Sequence, residues 1–186
     1  MVRLNKIYTR TGDGGSAGLV DGSRVSKASL RMVSIGEVDE ANAAIGVALA
    51  ALRSGALADR LRAIQNDLFD LGADIATPES VDCALRIVDT QVERLEREID
   101  AMNADLEPLS SFILPGGSPA VAALHLARTI ARRAERAAVA LHESEPLNPH
   151  LLAYLNRLSD HLFVAARHLA ASEGGDVLWQ PGATRG

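Results

Sequence analysis

The sequence has little of what marks secreted, membrane-spanning or nucleic-acid-binding proteins. Its 186 residues include one cysteine, Cys83, so no internal disulfide can form. The longest apolar run, residues 43–52, is too short to span a bilayer, and residues 1–10 contain no apolar run like that of a secretory signal. The net charge of −5 argues against nucleic acid as the main partner. These absences predict a cytoplasmic protein that binds neither membranes nor nucleic acid.

Aromatic residues are also scarce, at 3%, although hydrophobic residues make up 47% of the chain. The core must therefore be built from alanine, leucine, valine and isoleucine, which favours closely packed helices over a β-sandwich. A chain of 186 residues suffices for one domain with a sizeable core. We therefore expect a single all-α domain.

The motifs of common hydrolases and metal enzymes are absent from the sequence. The histidines form no Glu-x-x-His pair, which argues against the di-iron centre of ferritin-like bundles. There is no Ser/His/Asp pattern and no cysteine cluster, and we predict no metal site built by the protein alone. The chemistry that the sequence does indicate is the binding of a polyanion, with no obvious nucleophile or general base.

Apolar residues at three- and four-residue spacing predict five helices. The helices are predicted over residues 25–52, 56–76, 89–102, 120–142 and 149–172. Together they form a five-helix bundle with the up-down order of ferritin-like proteins, over residues 25–172. A glycine-rich arm, residues 1–24, is expected to be a loop rather than a packed element. The tail, residues 173–186, is expected to be irregular.

The fourth predicted helix carries a concentrated row of positive charge, which we call the arginine stripe. Residues three and four positions apart share a face of a helix. The stripe formed in this way consists of Arg128, Arg132, Glu135 and Arg136. Guanidinium groups suit phosphate oxygens, and a cationic row on an acidic chain indicates a local anion site. A solvated helix face with ordinary ion pairs is the alternative.

The arm contains a glycine-rich segment, residues 9–15, that reads TRTGDGG. Such a loop can turn backbone N–H groups and threonine hydroxyls toward a phosphate, with Arg10 adding charge. It is not a Walker A loop, because no Gly-Lys-Ser/Thr follows at the required spacing. An ordinary glycine-rich turn is the alternative. Lys27 follows as a possible second cation.

Two other predicted helices carry polar residues that need partners. On the first helix, Asp39, Asn42 and Gly46 share a face, and a carboxylate beside a small residue suits contact with another helix that presents arginine. A solvated acidic turn is the alternative there. On the fifth helix, Asn156 and Asp160 share a face, and if they are buried they must meet the arginine stripe or a ligand.

The long connection before the fourth helix contains the segment SSFILPGG, residues 110–117. Its consecutive apolar residues Phe112, Ile113 and Leu114 are unexpected in a loop unless something covers them. They either cap the helical bundle or line an apolar ligand pocket. The loop considered alone favours the cap.

These motifs, taken in order, closely resemble those of the PduO-type ATP:cob(I)alamin adenosyltransferases. The matching segments are residues 8–13 (YTRTGD), Arg24 with Lys27, residues 38–40 (VDE) leading to 45–46 (IG), 111–117 (SFILPGG), 132–136 (RRAER) and 156–160 (NRLSD). They cover nearly the whole chain. One departure is Glu37, which stands where small residues such as threonine are frequent in the family.

The resemblance implies a homotrimer of five-helix bundles with active sites between subunits. It implies the transfer of the 5′-deoxyadenosyl group from ATP, assisted by Mg²⁺, to cob(I)alamin, which yields adenosylcobalamin and triphosphate. A reductase that supplies the reduced corrinoid from cob(II)alamin, and an enzyme that uses adenosylcobalamin, are the further partners that it implies.

The resemblance also implies roles for individual residues. ATP would be wrapped by Thr9, Arg10, Thr11, Gly12, Ala17 and Gly18. Its phosphates would be contacted by Lys27, Arg132 and Arg136. Arg133 and Ala134 belong to the same nucleotide motif, in which Glu135 would orient the site, and Asn156 would bind the nucleotide. Asp39 would pair with Arg128 of a neighbouring subunit. Phe112 would occupy the lower face of the corrin and displace its dimethylbenzimidazole base.

Two other classes of function remain open at this level. A non-catalytic nucleotide or polyphosphate sensor would use the same arginine stripe, but it has no need of an apolar wedge such as Phe112. A structural helical oligomer leaves both the glycine-rich arm and the stripe unexplained.

Overall fold

The computed structural model describes residues 7–52 and 54–185. This part of the chain contains five helices and two short strands. The helices are α1 (Leu30–Leu52), α2 (Ala56–Ile75), α3 (Asp89–Asn103), α4 (Pro119–His142) and α5 (Pro149–Ala171). The strands are β1 (Ser16–Gly18) and β2 (Arg24–Ser26). The predicted all-α, five-helix fold is confirmed.

Helices α4 and α5 both begin with a capping side chain followed by proline. The hydroxyl of Ser118 accepts a hydrogen bond from the backbone N–H of Val121 at 3.4 Å, and the side-chain oxygen of Asn148 accepts one from His150 N–H at 3.1 Å. The proline that follows each cap has its φ already set for a helix, and its missing N–H would have had no partner there. These local signals explain why both helix starts agree with the sequence to within a residue.

The predicted start of the first helix at residue 25 is wrong, because part of the arm forms a hairpin. Strands β1 and β2 pair antiparallel, with Ala17 opposite Val25. The connecting turn is closed by a hydrogen bond from Leu19 N–H to the Ser23 carbonyl at 2.8 Å and contains Gly22 at a φ of 83°, in the left-handed region that favours glycine. The arm is therefore a short hairpin with flanking loops, and α1 begins only at Leu30.

The helices alternate in direction along the chain. The hydroxyl of Ser34 on α1 lies 2.9 Å from the Ala137 carbonyl on α4, and Arg31 reaches Glu145, just after α4, at 2.6 Å. α1 therefore starts where α4 ends. We call this end of the bundle the arm end, because Val20 of the arm donates its N–H to the Ala76 carbonyl there at 3.2 Å. The opposite end, where α4 starts and α5 ends, is called the Phe112 end.

The core of the bundle is built around small side chains of α4. Ala127, Ala131, Ala134 and Ala138 are fully buried against aliphatic residues of the neighbouring helices. Small residues let helix axes approach closely, so α1 and α5 pack tightly on either side of α4. In the described part of the chain, no helix is long and apolar enough to cross a membrane.

Candidate functional site

The arginine stripe lies on the exposed side of α4. Arg132 and Arg136 are exposed and form no ion pair with any described residue. Glu135 instead accepts a hydrogen bond from the side-chain amide of Asn156 on α5 at 2.9 Å. The stripe thus remains cationic, which does not support the alternative of a solvated face with ordinary ion pairs. A groove of about 370 Å³ is lined by Arg132, Glu135, Arg136, Val139, Ala140 and Glu143.

Arg128 continues the stripe toward the Phe112 end and is half-buried. Its guanidinium carbon lies 5.8 Å from the ring centroid of Phe163 on α5, and its buried Nε has no hydrogen-bond partner among the described residues. Burial, followed by the charge of Arg132, lowers the pKa of Arg128. A buried donor without an acceptor is costly, so Arg128 is a place where a ligand or a second subunit can supply an anionic group.

Arg133 has different surroundings, although it is the neighbour of Arg132. Its Nε donates to the carboxylate of Glu37 on α1 at 2.5 Å, and its guanidinium also pairs with Glu40. The hydrogen bonds to Glu40 and then to Glu37 raise the pKa of Arg133. Ala134 is fully buried in the core. The structure therefore brings neither side chain into the groove, because successive residues point in different directions around a helix.

The arm folds over Lys27. The guanidinium of Arg24 donates to the Thr11 carbonyl at 2.7 Å and to the Ser16 hydroxyl at 2.8 Å, while Lys27 N–H donates to the Gly15 carbonyl at 2.9 Å. The backbone at Gly12 lies close to the side chain of Lys27, since a Cβ added at Gly12 would be 3.1 Å from the Lys27 ammonium nitrogen. The structure thus brings the glycine-rich segment and the predicted second cation together, at the same end of the bundle as Glu143 of the groove.

The backbone of the arm takes an unusual conformation beside Lys27. Arg10 has a φ of 61°, a left-handed conformation that residues other than glycine rarely adopt. On either side of it, the hydroxyls of Thr9 and Thr11 lie 2.8 Å apart and are hydrogen-bonded. Such local strain persists where the surroundings hold it, and it is frequent at ligand-binding loops. Ala17 and Gly18 lie in β1, further along the arm.

Phe112 does not cap the bundle. It is 77% exposed, and its ring packs at 6.1 Å, centroid to centroid, against Trp179 of the tail. The exposed apolar side chains around it form a surface that we call the apolar patch. The patch consists of Leu109, Phe112, Leu114, Val177, Leu178 and Trp179. Clustered exposed apolar side chains are typical of binding surfaces, so the pocket interpretation of the loop is better supported than the cap.

The structure also places residues at the site that the sequence patterns missed. His125, one turn before Arg128 on α4, is buried with its ring 6.4 Å from the Phe163 ring. Burial, followed by the charge of Arg128, lowers the pKa of His125, while Asp176 of the tail opposes this. The three-residue spacing between His125 and Arg128 was a signal that could have found it. No residue spacing in the sequence pointed to Trp179, because its partner Phe112 lies far away in the sequence.

Some predicted contacts are not found among the described residues. Asn156 and Asp160 are exposed rather than buried, although Asn156 does meet the stripe through its hydrogen bond to Glu135. Asp39 is also exposed and forms no hydrogen bond or ion pair with the described residues; it lines an apolar groove of about 430 Å³ between α1 and α2, next to Phe69. Its pairing with Arg128 of another subunit stays a prediction.

No group of three or more potential metal ligands occurs among the histidine, cysteine, aspartate and glutamate residues that the structure describes.

The candidate site lies along α4. The apolar patch lies near the start of α4, the buried His125 and the half-buried Arg128 follow along the helix, and Arg132 and Arg136 line the groove toward its other end. At 1.5 Å per residue, Arg132 lies about 20 Å from the start of α4. The exposed apolar patch at one end of α4 suits an apolar ligand and the arginine groove toward the other end suits an anionic one, which defines an all-α protein with two different candidate binding surfaces.

Comparison with known proteins identifies the family to which this chain belongs. The family model described as cobalamin adenosyltransferase matches residues 7–169, and the chain belongs to this family. It is 52% identical to the corrinoid adenosyltransferase of Mycobacterium tuberculosis (strain ATCC 25618 / H37Rv) over 190 residues, covering 99% of this chain and 97% of that protein. It is 48% identical to the corrinoid adenosyltransferase of Bacillus subtilis (strain 168) over 181 residues, covering 94% and 92% of the two chains.

Solved structures agree with this relationship. The fold matches a phenylalanine-to-histidine variant of a PduO-type ATP:corrinoid adenosyltransferase from Lactobacillus reuteri, complexed with cobalamin and ATP, with a TM-score of 0.88 at 36% identity, covering 95% of this chain and 97% of that one. An arginine-to-lysine variant of the Lactobacillus reuteri enzyme, complexed with ATP, matches with a TM-score of 0.86 at 37% identity, covering 94% and 100% of the two chains.

Proposed function

We propose that this chain transfers the 5′-deoxyadenosyl group of ATP to the cobalt of cob(I)alamin, giving adenosylcobalamin and triphosphate. Family membership defines the class of reaction. The observation that supports the assignment to this chain's own residues lies along α4. The helix carries guanidinium groups that have no carboxylate partner among the described residues, and an exposed apolar patch lies at its start. These surfaces suit a reaction between a polyanion and a large, mainly apolar ring system, in which the adenosyl group is transferred and the triphosphate departs. We further propose that the chain acts as a single domain.

The reaction explains why the site needs no general base. The cobalt(I) of the substrate corrinoid is itself the nucleophile, and the carbon that it attacks at ribose C5′ loses triphosphate rather than a proton. The protein's contribution is to hold the two substrates in line and to stabilise the charge that develops on the departing triphosphate. Positioned cations stabilise the departing triphosphate, and a shaped surface holds the two substrates in line.

The triphosphate is assigned to the arginine groove. We infer that Arg132, Arg136 and Lys27 contact the phosphates, because their charged groups face the groove or the arm and have no carboxylate partner among the described residues. Glu135 accepts a hydrogen bond from Asn156 and forms no ion pair with a described guanidinium group, so Glu135 orients the site without neutralising it. The nucleotide itself is wrapped by Thr9, Arg10, Thr11, Gly12, Ala17 and Gly18, with Asn156 as a further contact.

Magnesium is assigned to the substrate, as the MgATP complex. Mg²⁺ is commonly held by one or two carboxylates together with substrate phosphates and waters. The groove offers the carboxylates of Glu135 and Glu143 beside its arginines, which fits an ion brought in by the phosphates. When bound, Mg²⁺ supplies additional positive charge to the leaving group.

The corrinoid is assigned to the apolar patch. We infer that Phe112, whose ring is largely exposed, occupies the lower face of the corrin and displaces the dimethylbenzimidazole base. A cobalt without its lower ligand is easier to reduce, so enzyme-bound cob(II)alamin would accept an electron from a partner reductase. Adenosylcobalamin is then the product passed to an enzyme that depends on it.

Assembly as a homotrimer would complete the site. Arg128 has a buried Nε without a partner, and Asp39 presents an exposed carboxylate without one among the described residues. We propose that the two groups pair between neighbouring subunits, which would place one substrate site at each subunit interface. Such a pair satisfies a donor that has no partner in the part of the chain that the structure describes.

The experiment that tests the function is direct. The protein is incubated with MgATP and chemically reduced cob(I)alamin, and the corrin absorption spectrum is followed while triphosphate is measured. We expect adenosylcobalamin and triphosphate to form in equal amounts. A protein that binds ATP but leaves the corrin spectrum unchanged would be a nucleotide sensor, and the proposal would be wrong.

A further inference from the structure

The described part of the tail contains no helix or strand, as the sequence predicts, but one segment of it is bound to the loop that carries Phe112. Residues 176–179, which we call the strap, lie antiparallel beside the loop that carries Phe112. Leu114 N–H donates to the Val177 carbonyl at 2.8 Å, and Trp179 N–H donates to the Phe112 carbonyl at 2.7 Å. The hydroxyl of Ser111 adds a hydrogen bond to the Trp179 carbonyl at 2.8 Å. The backbone on both sides of Phe112 is therefore tied to the strap.

A buried arginine anchors the loop and the strap to the same point of the bundle. Arg167 of α5 is 8% exposed. Its Nε donates to the carboxylate of Asp176, at the start of the strap, at 2.9 Å, and its Nη2 donates to the Glu107 carbonyl, in the loop, at 2.8 Å. Hydrogen bonds to a charged and buried group are strong, so Arg167 fixes the position of the loop relative to the strap. The proposed reaction uses none of these groups.

The strap also supplies the neighbour of the Phe112 ring. The ring of Trp179 lies 6.1 Å from it, centroid to centroid, at an angle of 52°, a tilted arrangement that aromatic pairs favour. Because Phe112 is 77% exposed, most of its ring has no protein atoms around it. Trp179 is its aromatic partner in the described structure, and it limits the directions in which the ring can point.

We propose that Trp179 is a positioning residue for the corrinoid: the strap, anchored by Arg167, holds the Phe112 ring where it displaces the lower ligand of cobalt. This inference rests on the proposed function of Phe112. Small misplacements of positioning groups can be expensive in rate. A ring that must enter the space of a departing ligand needs such support more than one that only lines a pocket.

The test compares variants of the full-length protein. Trp179→Ala removes the ring, Trp179→Phe keeps an aromatic side chain, and Gln180→Ala changes the next, exposed residue as a matched control. The readout is the fraction of enzyme-bound cob(II)alamin that has lost its lower base in the presence of MgATP, measured by absorption and electron paramagnetic resonance spectra. ATP affinity and thermal stability are measured on the same samples.

We expect Trp179→Ala to lower the base-free fraction roughly fivefold, in line with the energy of one aromatic pair, with ATP affinity unchanged. Trp179→Phe should restore most of the base-free fraction, and Gln180→Ala should behave as the original protein. If Trp179→Ala proves unstable, Trp179→Leu keeps the apolar volume without the ring, and the same loss is expected. A base-free fraction that stays unchanged in folded Trp179→Ala or Trp179→Leu protein would overturn the inference.

A double-mutant cycle with Phe112→Ala shows whether Trp179 acts through Phe112. If it does, Trp179→Ala should cause little further loss once Phe112 is gone. Independent, multiplying losses would mean that Trp179 contacts the corrin by itself, and the inference would be wrong. If Phe112→Ala alone leaves the base-free fraction unchanged, the proposed role of Phe112 fails and the inference fails with it. If Phe112→Ala lowers the fraction and Trp179→Ala does not, only the inference fails.

Discussion

Arg132 and Arg133 are adjacent in the sequence, yet they have opposite surroundings in the fold. The guanidinium of Arg133 is held by two carboxylates of α1, whereas Arg132 is exposed at the groove and pairs with no carboxylate among the described residues. The same side-chain chemistry thus joins two helices at one position and is left available for a ligand at the next. A charged residue indicates an anion site only when the fold leaves its charge uncompensated.

The largest effect is expected from Arg132→Ala. This change removes a charge-assisted contact to the leaving triphosphate, and the loss of one such donor typically lowers turnover about 10²–10³-fold. Turnover with MgATP and cob(I)alamin, measured on protein of normal thermal stability, checks the prediction. Arg133→Ala is the matched control. Equal losses in the two variants would mean that the difference in their surroundings has no bearing on catalysis.

The next effect concerns Arg128, the member of the stripe that is partly buried. If it pairs with Asp39 of a neighbouring subunit, either single substitution to alanine leaves a group unpaired and should weaken the trimer by about 1–3 kcal/mol. Exchanging the two residues should recover part of that loss. Sedimentation velocity measures the assembly. A double-mutant cycle without coupling would exclude the pairing.

The third effect concerns order in the arm. Residues 9–22 are mostly exposed and contain the glycine-rich segment, so MgATP should slow hydrogen exchange there by enclosing the loop. The slowing should persist in Arg133→Ala and be much weaker in Arg132→Ala, since only the latter loses a phosphate contact. Exchange that is equally slow with and without MgATP would instead indicate a preformed site.

The smallest effect is expected from Arg133→Ala itself. Its ion pairs lie at the protein surface, where such pairs contribute little because solvent screens them. We expect a slight loss of thermal stability and nearly normal turnover. Glu37→Thr, which removes one of the two carboxylates paired with Arg133, should behave in the same way. A thermal melt and the corrin assay on both variants check this prediction.

The sequence alone determined the number of helices, most of their ends and most of the charged face. Helix starts at Pro119 and Pro149 follow from a cap and a proline, and the stripe follows from three- and four-residue spacing on α4. Both are local properties of a helix, so no knowledge of the packing was needed. The family motifs similarly identified the reaction class, because they occur in a fixed order along the chain.

Only the tertiary structure decided which of these groups are free and what surrounds them. The partners of Arg133 lie on α1, the partner of Phe112 lies in the tail, and the start of α1 depends on a hairpin that ends at Ser26. Each is a contact between segments far apart in sequence. Such contacts depend on how the helices and loops are arranged in space, and neither propensity nor periodicity within one segment carries that information.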